Sequence, residues 1–220
     1  MTDAARQRWE DHAERMVREQ LEDRGIRDPR VLAAMRSVPR HAFMPDASVE
    51  AAYADHAMPT AEGQTISQPY IVAKMTELLA VEPGMRVLEV GCGSGYQSAV
   101  LLEMGAEVVG VERHAGLAEA ARTRLTRRYD PARFTVIEGD GSMGCEAHAP
   151  YDRILVTAAA PRPPLPLRRQ LADPGRLVIP LGDRTSQRLT VMDLRDGQWT
   201  RSDNTPCRFV PLLGEHGFEG

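Results

Sequence analysis

Residues 87–97 read VLEVGCGSGYQ: a β-rich run enters Gly91-Cys92-Gly93-Ser94-Gly95, and a helical pattern leaves it. In an open α/β sheet, ligands bind at the carboxyl ends of the strands, near the point where strand order reverses. Glycines there let the backbone come close to a ligand. The spacing is GxGxG, one residue short of the dinucleotide fingerprint GxGxxG. Glu89 sits inside the strand end, where its carboxylate would repel a pyrophosphate but suits the ammonium group of a methionine moiety. Glu112 lies 21 residues beyond Gly91, near the offset at which an acidic side chain accepts hydrogen bonds from ribose hydroxyls. Asp140, followed by Gly141, ends a third strand-like run, within reach of an adenine amino group. Gly91, Gly93, Ser94 and Gly95 with these three carboxylates form a cradle for ribose, adenine and a sulfonium. S-adenosyl-L-methionine is the expected cofactor and S-adenosyl-L-homocysteine the expected product.

The surrounding elements must hold these groups at one sheet edge. Residues 4–21 carry Trp9, Ala13, Met16, Val17 and Leu21 on one helical face, with Gly25 as the stop. Asp28-Pro29 caps and opens a second helix that ends at Val38-Pro39. Residues 39–66 show no sustained period and read as an extended wrap with short helical turns. A helix returns over 69–80, with Ile71, Met75, Leu78 and Leu79 as its apolar stripe. Strands are expected at 85–91, 106–112, 134–140, 151–160 and 175–182, and helices at 96–104, 115–128 and 167–172. Such alternation implies parallel crossovers and a sheet covered on both faces. Residues 188–194 and 198–203 flank Asp196-Gly197, a hairpin turn signal. The expectation is therefore an α/β fold of one domain. Its sheet has seven strands, mostly parallel, and ends in an antiparallel hairpin. The divisions fall at 1–66 (helical extension and wrap), 67–182 (cofactor-binding core) and 183–220 (hairpin and covering tail).

Composition narrows the partners. The net charge is −4, so nothing offers the basic face that tracks a phosphate backbone; the arginine-rich stretch 122–128 is outweighed elsewhere. Nucleic acid is not expected. The polar N-terminus lacks a signal-peptide core, and no run approaches the length of a membrane span. Cys92, Cys145 and Cys207 are widely spaced, which fits a reducing compartment rather than a disulfide framework. The six histidines form no metal-binding pair, so no metal is expected. A cytoplasmic monomer is the working expectation.

Several further segments are more specific: VPRHAFMP (38–45), GQTISQPYIVAKMTELL (63–79), EGDGSMG (138–144), APYDRILVTAAAP (149–161), GRLVIPLG (175–182) and RFVPLLGE (208–215). With the glycine loop, they make the chain resemble the protein-L-isoaspartate O-methyltransferase family from about residue 20 to residue 215. The resemblance implies methyl transfer to the free carboxylate of isoaspartyl residues in damaged proteins and peptides. It places Ser67 as the active-site serine, with Gln64, Thr65 and Ile66 along the cofactor. Thr65, Ser67 and Gln68 face the acceptor, and Phe209 and Val210 belong to a tail folded over it, where backbone groups could pair with an extended peptide.

This chemistry suits the residues. A carboxylate with an ordinary pKa of ~3.9 is already ionised at pH 7 and needs no base. Burial alone would raise that pKa, so donors must offset it. Thr65 and Ser67 supply hydroxyls at the start of a helix, where free N–H groups favour an anion. A plainer role is also open: Ser67 as an N-cap, with Thr65-x-x-Gln68 as a capping box. His41 and His56 stand alone and are not expected to act as bases. Cys92, Cys145 and His56 depart from the family pattern. The rival functions are a nicotinamide-dependent dehydrogenase, a carboxyl methyltransferase dedicated to one peptide, and a non-catalytic binding module.

Overall fold

The computed structural model describes residues 3–219. Helix α1 (Asp3–Met16) continues into a π-helical turn, Val17–Glu22. Trp9, Ala13, Met16, Val17 and Leu21 are all buried, so the face expected from the sequence is kept across the change of winding. Helix α2 (Pro29–Ser37) opens as expected: the Asp28 carboxylate accepts from the Arg30 N–H at 2.8 Å. A single turn, α3 (Val49–Ala52), follows. The wrap also holds a small antiparallel ribbon that the sequence did not reveal. Strands β1 (Met58–Pro59) and β2 (Thr65–Ile66) pair there, too short to show a period.

Helix α4 (Pro69–Leu79) corrects one expectation. Its buried positions are Pro69, Val72, Ala73, Met75, Thr76 and Leu79, whereas Ile71 and Leu78 are only partly buried. Thr76 can be buried because its hydroxyl donates to the Val72 carbonyl at 2.7 Å and accepts from Gln97 Nε2 at 2.9 Å. The far end of α4 is tied to the sheet. Arg153 Nε donates to the Leu79 carbonyl at 2.8 Å and Arg176 Nη1 to the Leu78 carbonyl at 2.9 Å.

The core follows as β3 (Arg86–Val90), α5 (Tyr96–Glu103), β4 (Glu107–Glu112), α6 (Ala115–Thr126), β5 (Phe134–Glu138), β6 (Tyr151–Val156), α7 (Leu165–Gln170), β7 (Leu171–Gly182), β8 (Gln187–Arg195) and β9 (Gln198–Cys207). One seven-stranded sheet has the order β5-β4-β3-β6-β7-β8-β9. Pairings from β5 to β7 are parallel, and β7–β8 and β8–β9 are antiparallel. The closing hairpin turns at Asp196 and Gly197, at φ +52° and +73°, which is the left-handed geometry its sequence signalled.

Side chains alternate between two apolar clusters along each central strand. Val87, Val108, Leu155 and Val178 join the cluster that includes α1, α2, α4, α5 and α6. Leu88, Val109, Ile154 and Leu177 face a smaller cluster with Leu167 of α7 and Leu212 of the tail. Strand order reverses between β3 and β6, and the glycine loop emerges there.

Candidate active site

The loop after β3 is held by its neighbours. The Gly91 N–H donates to the Val111 carbonyl at 2.8 Å. Gly91 has φ +84°, and a Cβ on it would lie 2.8 Å from Thr157 Oγ1. Two constraints therefore coincide: a left-handed backbone and no space for a side chain. The Thr157 hydroxyl reaches the carbonyls of Val90 at 2.9 Å and Gly91 at 2.6 Å. Gly95 is the N-cap residue of α5.

Beside the loop lies a cavity of about 880 Å³, including open space at its mouth. Its walls include Gln64, Thr65, Ile66, Ser67, Glu89, Gly91, Gly93, Ser94, Glu112 and Gly141, all expected from the sequence, together with Cys92, Thr157 and the tail residues Val210 to Leu213. Gly95 and Asp140 are not part of this wall. Asp140 caps a short turn instead. Its Oδ1 accepts from the Ser142 N–H at 2.8 Å and the Ser142 hydroxyl at 2.7 Å, and its Oδ2 from the Glu215 N–H at 2.8 Å. Burial pushes the Asp140 carboxyl up, but these donors and His216 outweigh it and hold it below the usual range. The structure thus gives Asp140 to the tail and leaves Gly141 at the cavity.

The two remaining carboxylates are arranged differently. Glu112 is anchored at both oxygens, accepting from the Gly93 N–H at 2.9 Å and the His114 N–H at 3.0 Å. Glu89 is fully buried, and one oxygen accepts from the Ser98 hydroxyl. Its Oε1 has no partner among the described residues. Burial chiefly, with Glu112 adding repulsion, raises its pKa to about 7. A buried carboxylate oxygen without a donor is costly. Glu89 lines the cavity, and a cationic ligand group there would suit its carboxylate. The ammonium of S-adenosylmethionine meets that requirement, and Glu112 stands where a diol can share its oxygens.

Ser67 lies between two spaces. A second groove of about 850 Å³ shares Thr65, Ser67, Thr157 and Val210 with the cofactor cavity and adds His56, Gln68, Arg208 and Phe209. The N-cap of α4 is Gln68, and no side chain caps it. The capping readings are therefore set aside: the helix begins one residue later than a Ser67 cap needs and three later than the Thr65-x-x-Gln68 box needs. Gln68 Nε2 donates to Asp55 Oδ1 at 2.8 Å. The Phe209 N–H donates to Gln187 Oε1 at 2.9 Å, and the Val210 carbonyl accepts from the Ala159 N–H at 2.8 Å. Those two backbone groups are occupied within the chain.

Comparison with known proteins decides the family. The model of the family Protein-L-isoaspartate(D-aspartate) O-methyltransferase matches residues 11–217. The chain belongs to this family. It is 53% identical over 210 residues to the protein-L-isoaspartate O-methyltransferase of Methanoregula boonei, covering 95% of this chain and 96% of that protein. It is 51% identical over 221 residues to the one from Methylorubrum populi, covering 100% of each. A solved protein-L-isoaspartate O-methyltransferase superposes with TM-score 0.83 at 27% identity, covering 93% of this chain and 67% of that one. A Plasmodium falciparum structure described as a protein-L-isoaspartate O-methyltransferase in complex with S-adenosyl-L-homocysteine gives TM-score 0.77 at 26% identity, covering 91% and 98%. The chain is thus an S-adenosylmethionine-dependent O-methyltransferase by family, and the dehydrogenase reading falls.

Within this O-methyltransferase the sequence had not singled out Arg40. It is completely buried. Its Nε donates to the Ala52 carbonyl at 2.7 Å and its Nη2 to the Ser67 carbonyl at 2.8 Å, while Nη1 has no partner among the described residues. The guanidinium lies 4.8 Å from the centre of the Tyr96 ring. The family segments VPRHAFMP and APYDRILVTAAAP contain Arg40 and Thr157, but no spacing rule marks either. The departures are mild. Cys92 fits against Gly110, where a Cβ would lie 3.2 Å from Cys92 Sγ. Cys145 is held through its backbone by Gln170 and Tyr151. His41 lines neither space; burial lowers its pKa. Among the described residues no group of His, Cys, Asp and Glu is placed to hold a metal, and no helix is long and apolar enough to cross a membrane.

Proposed function

We propose that the protein transfers a methyl group from S-adenosyl-L-methionine to the free carboxylate of isoaspartyl residues in proteins and peptides, beginning their repair. The supporting observation is how charge is sorted across one shared wall. The cofactor cavity contains Glu89 and Glu112, suited to a cation, whereas the groove beyond Thr65, Ser67, Thr157 and Val210 contains no carboxylate.

When bound, the cofactor supplies a methyl group on a positively charged sulfur. The protein's own residues orient and desolvate. Ser67 and Thr65 present hydroxyls to an acceptor that is ionised without a base. A hydrogen bond from Ser67 keeps that carboxylate charged as water is excluded. Arg40 fixes the Ser67 backbone, and Thr157 fixes the glycine loop opposite. The neutral methyl ester leaves the groove. The next backbone nitrogen then attacks the ester carbonyl, losing its proton and expelling methanol, and a succinimide closes. Water opens that ring to aspartyl and isoaspartyl products.

The three-part division serves this reading: residues 1–66 bring Arg40 to the site, 67–182 the cofactor cavity and 183–220 the groove's outer rim. The protein is proposed to act as a monomer in the cytoplasm, and the free thiols of Cys92, Cys145 and Cys207 accord with a reducing compartment. Paired peptides differing only in isoaspartate against aspartate test the function. Methylation of the isoaspartyl member is expected; equal labelling of both, or labelling of one unrelated peptide alone, would overturn it.

A further inference from the structure

We infer that Arg208 is a specificity residue, selecting isoaspartyl peptides that carry an acidic side chain beside the acceptor. The inference rests on the isoaspartyl reading and goes beyond it.

The outer groove has a sign opposite to that of the chain. The protein's net charge is −4, yet the groove's charged and titratable side chains with nitrogen are His56 and Arg208, and Asp and Glu are absent from it. The nearest acidic residue in sequence, Asp55, is already engaged. It accepts from Arg24 Nη1 at 3.1 Å and from Gln68 Nε2 at 2.8 Å. His56 Nδ1 is 3.1 Å from the Ala57 carbonyl. Arg208 is exposed and forms no ion pair among the described residues.

Its backbone is nevertheless fixed. Cys207 pairs with Gln187 in the sheet, and the Phe209 N–H donates to the Gln187 side chain at 2.9 Å. Gln187 itself is buried. Both neighbours of Arg208 thus hang on one rigid residue, and only the Arg208 side chain is free to order on a ligand. Binding then costs little backbone entropy. A guanidinium presents a planar fork matched to a carboxylate.

Position assigns that carboxylate to the flank rather than to the reacting group. Arg208 lines the outer groove and not the cofactor cavity, whereas the wall common to both is Thr65, Ser67, Thr157 and Val210. A full cation on the acceptor oxygen would also withdraw the electron density that attacks the methyl group. An acidic residue next to the isoaspartate gains the attraction without that loss.

The test uses the full chain and isoaspartyl peptides with Glu, Gln or Lys at each position adjacent to the acceptor. The wild type is expected to show kcat/KM about two- to fivefold higher for a Glu flank than for a Lys flank at low salt, the range of an exposed ion pair. The gap should shrink at high salt. Arg208→Glu should reverse the order, and Arg208→Gln should abolish it. Melting temperature and S-adenosylhomocysteine binding report that both variants are folded. Equal rates on all flanks in the wild type, or a preference retained in Arg208→Gln, would overturn the inference while leaving isoaspartyl methylation intact. Absence of methylation on every isoaspartyl peptide would overturn the function and the inference together.

Discussion

The Nη2 of Arg40 lies 2.8 Å from the carbonyl oxygen of Ser67, 27 residues away in the chain. A fully buried cation therefore fixes the backbone of a residue that lines both the cavity of Glu89 and Glu112 and the outer groove. Burial lowers the Arg40 pKa, with Tyr96 and Tyr53 opposing that effect. Substituting Arg40→Lys keeps the charge but cannot hold the Ala52 and Ser67 carbonyls in one planar fork. The loss of a hydrogen bond to a charged group is about 1.5–3 kcal/mol, so turnover should fall roughly 10- to 100-fold. S-adenosylhomocysteine affinity should change much less. Arg40→Met would add a large stability loss, because both carbonyls lose their donor. Steady-state kinetics beside calorimetric titration checks this; an unchanged kcat in folded Arg40→Lys would refute it.

Ser67→Ala gives a sharper outcome. No cap is lost, because Gln68 is the N-cap residue and takes no side-chain bond there. The melting temperature should stay nearly constant while methyl transfer falls by about one to two orders of magnitude. Both are measured on one sample, and a fall in stability with normal turnover would contradict the assignment.

Glu89 predicts a pH dependence. Its folded pKa of about 7 stands above the ordinary value of 4.5. The native state therefore holds a proton that the unfolded chain releases. Stability from this group is fully present below pH 4.5 and is lost as pH rises through 7. Glu89→Gln removes that slope. Relative to wild type without ligand, the variant should gain on the order of 3 kcal/mol between pH 4 and pH 8. Affinity for S-adenosylhomocysteine should move the other way, since a neutral amide cannot pair with an ammonium. Wild-type affinity should also rise as pH passes through 7. Urea titrations across that range, with binding measured at each pH, test both halves; parallel stability profiles would count against the buried charge.

Much of this arrangement was legible in the sequence, and the exceptions have physical reasons. Glycines, the Asp28-Pro29 helix start and the Asp196-Gly197 turn are backbone signals, and each appears where its chemistry demands. The α4 stripe was misplaced by one position because Thr76 is polar yet buried, its hydroxyl satisfied inside the fold. Arg40 went unmarked because arginine is ordinarily a surface residue; only the tertiary structure shows two carbonyls waiting for it. A strand-end carboxylate such as Asp140 is easily found, but the direction it turns depends on the tail residue Glu215, 75 positions later.

Glu112→Ala should weaken cofactor binding by more than one lost ligand contact would suggest. The Gly93 and His114 N–H groups both donate to this carboxylate. Removing it frees the glycine loop and the start of α6 together. The expected result is a dissociation constant for S-adenosylhomocysteine raised at least about tenfold, from one charged hydrogen bond lost. An unchanged constant would place Glu112 outside the site.

Asp140 also bears on the enzyme's own ageing. The chain has a single asparagine, Asn204, followed by threonine. Aspartyl–glycine steps are therefore its chief exposure to the rearrangement it is proposed to treat in others, and one of them, Asp140-Gly141, adjoins the cofactor cavity. Succinimide formation there would require the Asp140 carboxyl carbon to swing onto the Gly141 nitrogen. Three hydrogen bonds, two from Ser142 and one from Glu215, restrain the carboxylate and keep it ionised, the form least open to attack. The contacts that seat the tail thus also act as a chemical preservative for the catalyst.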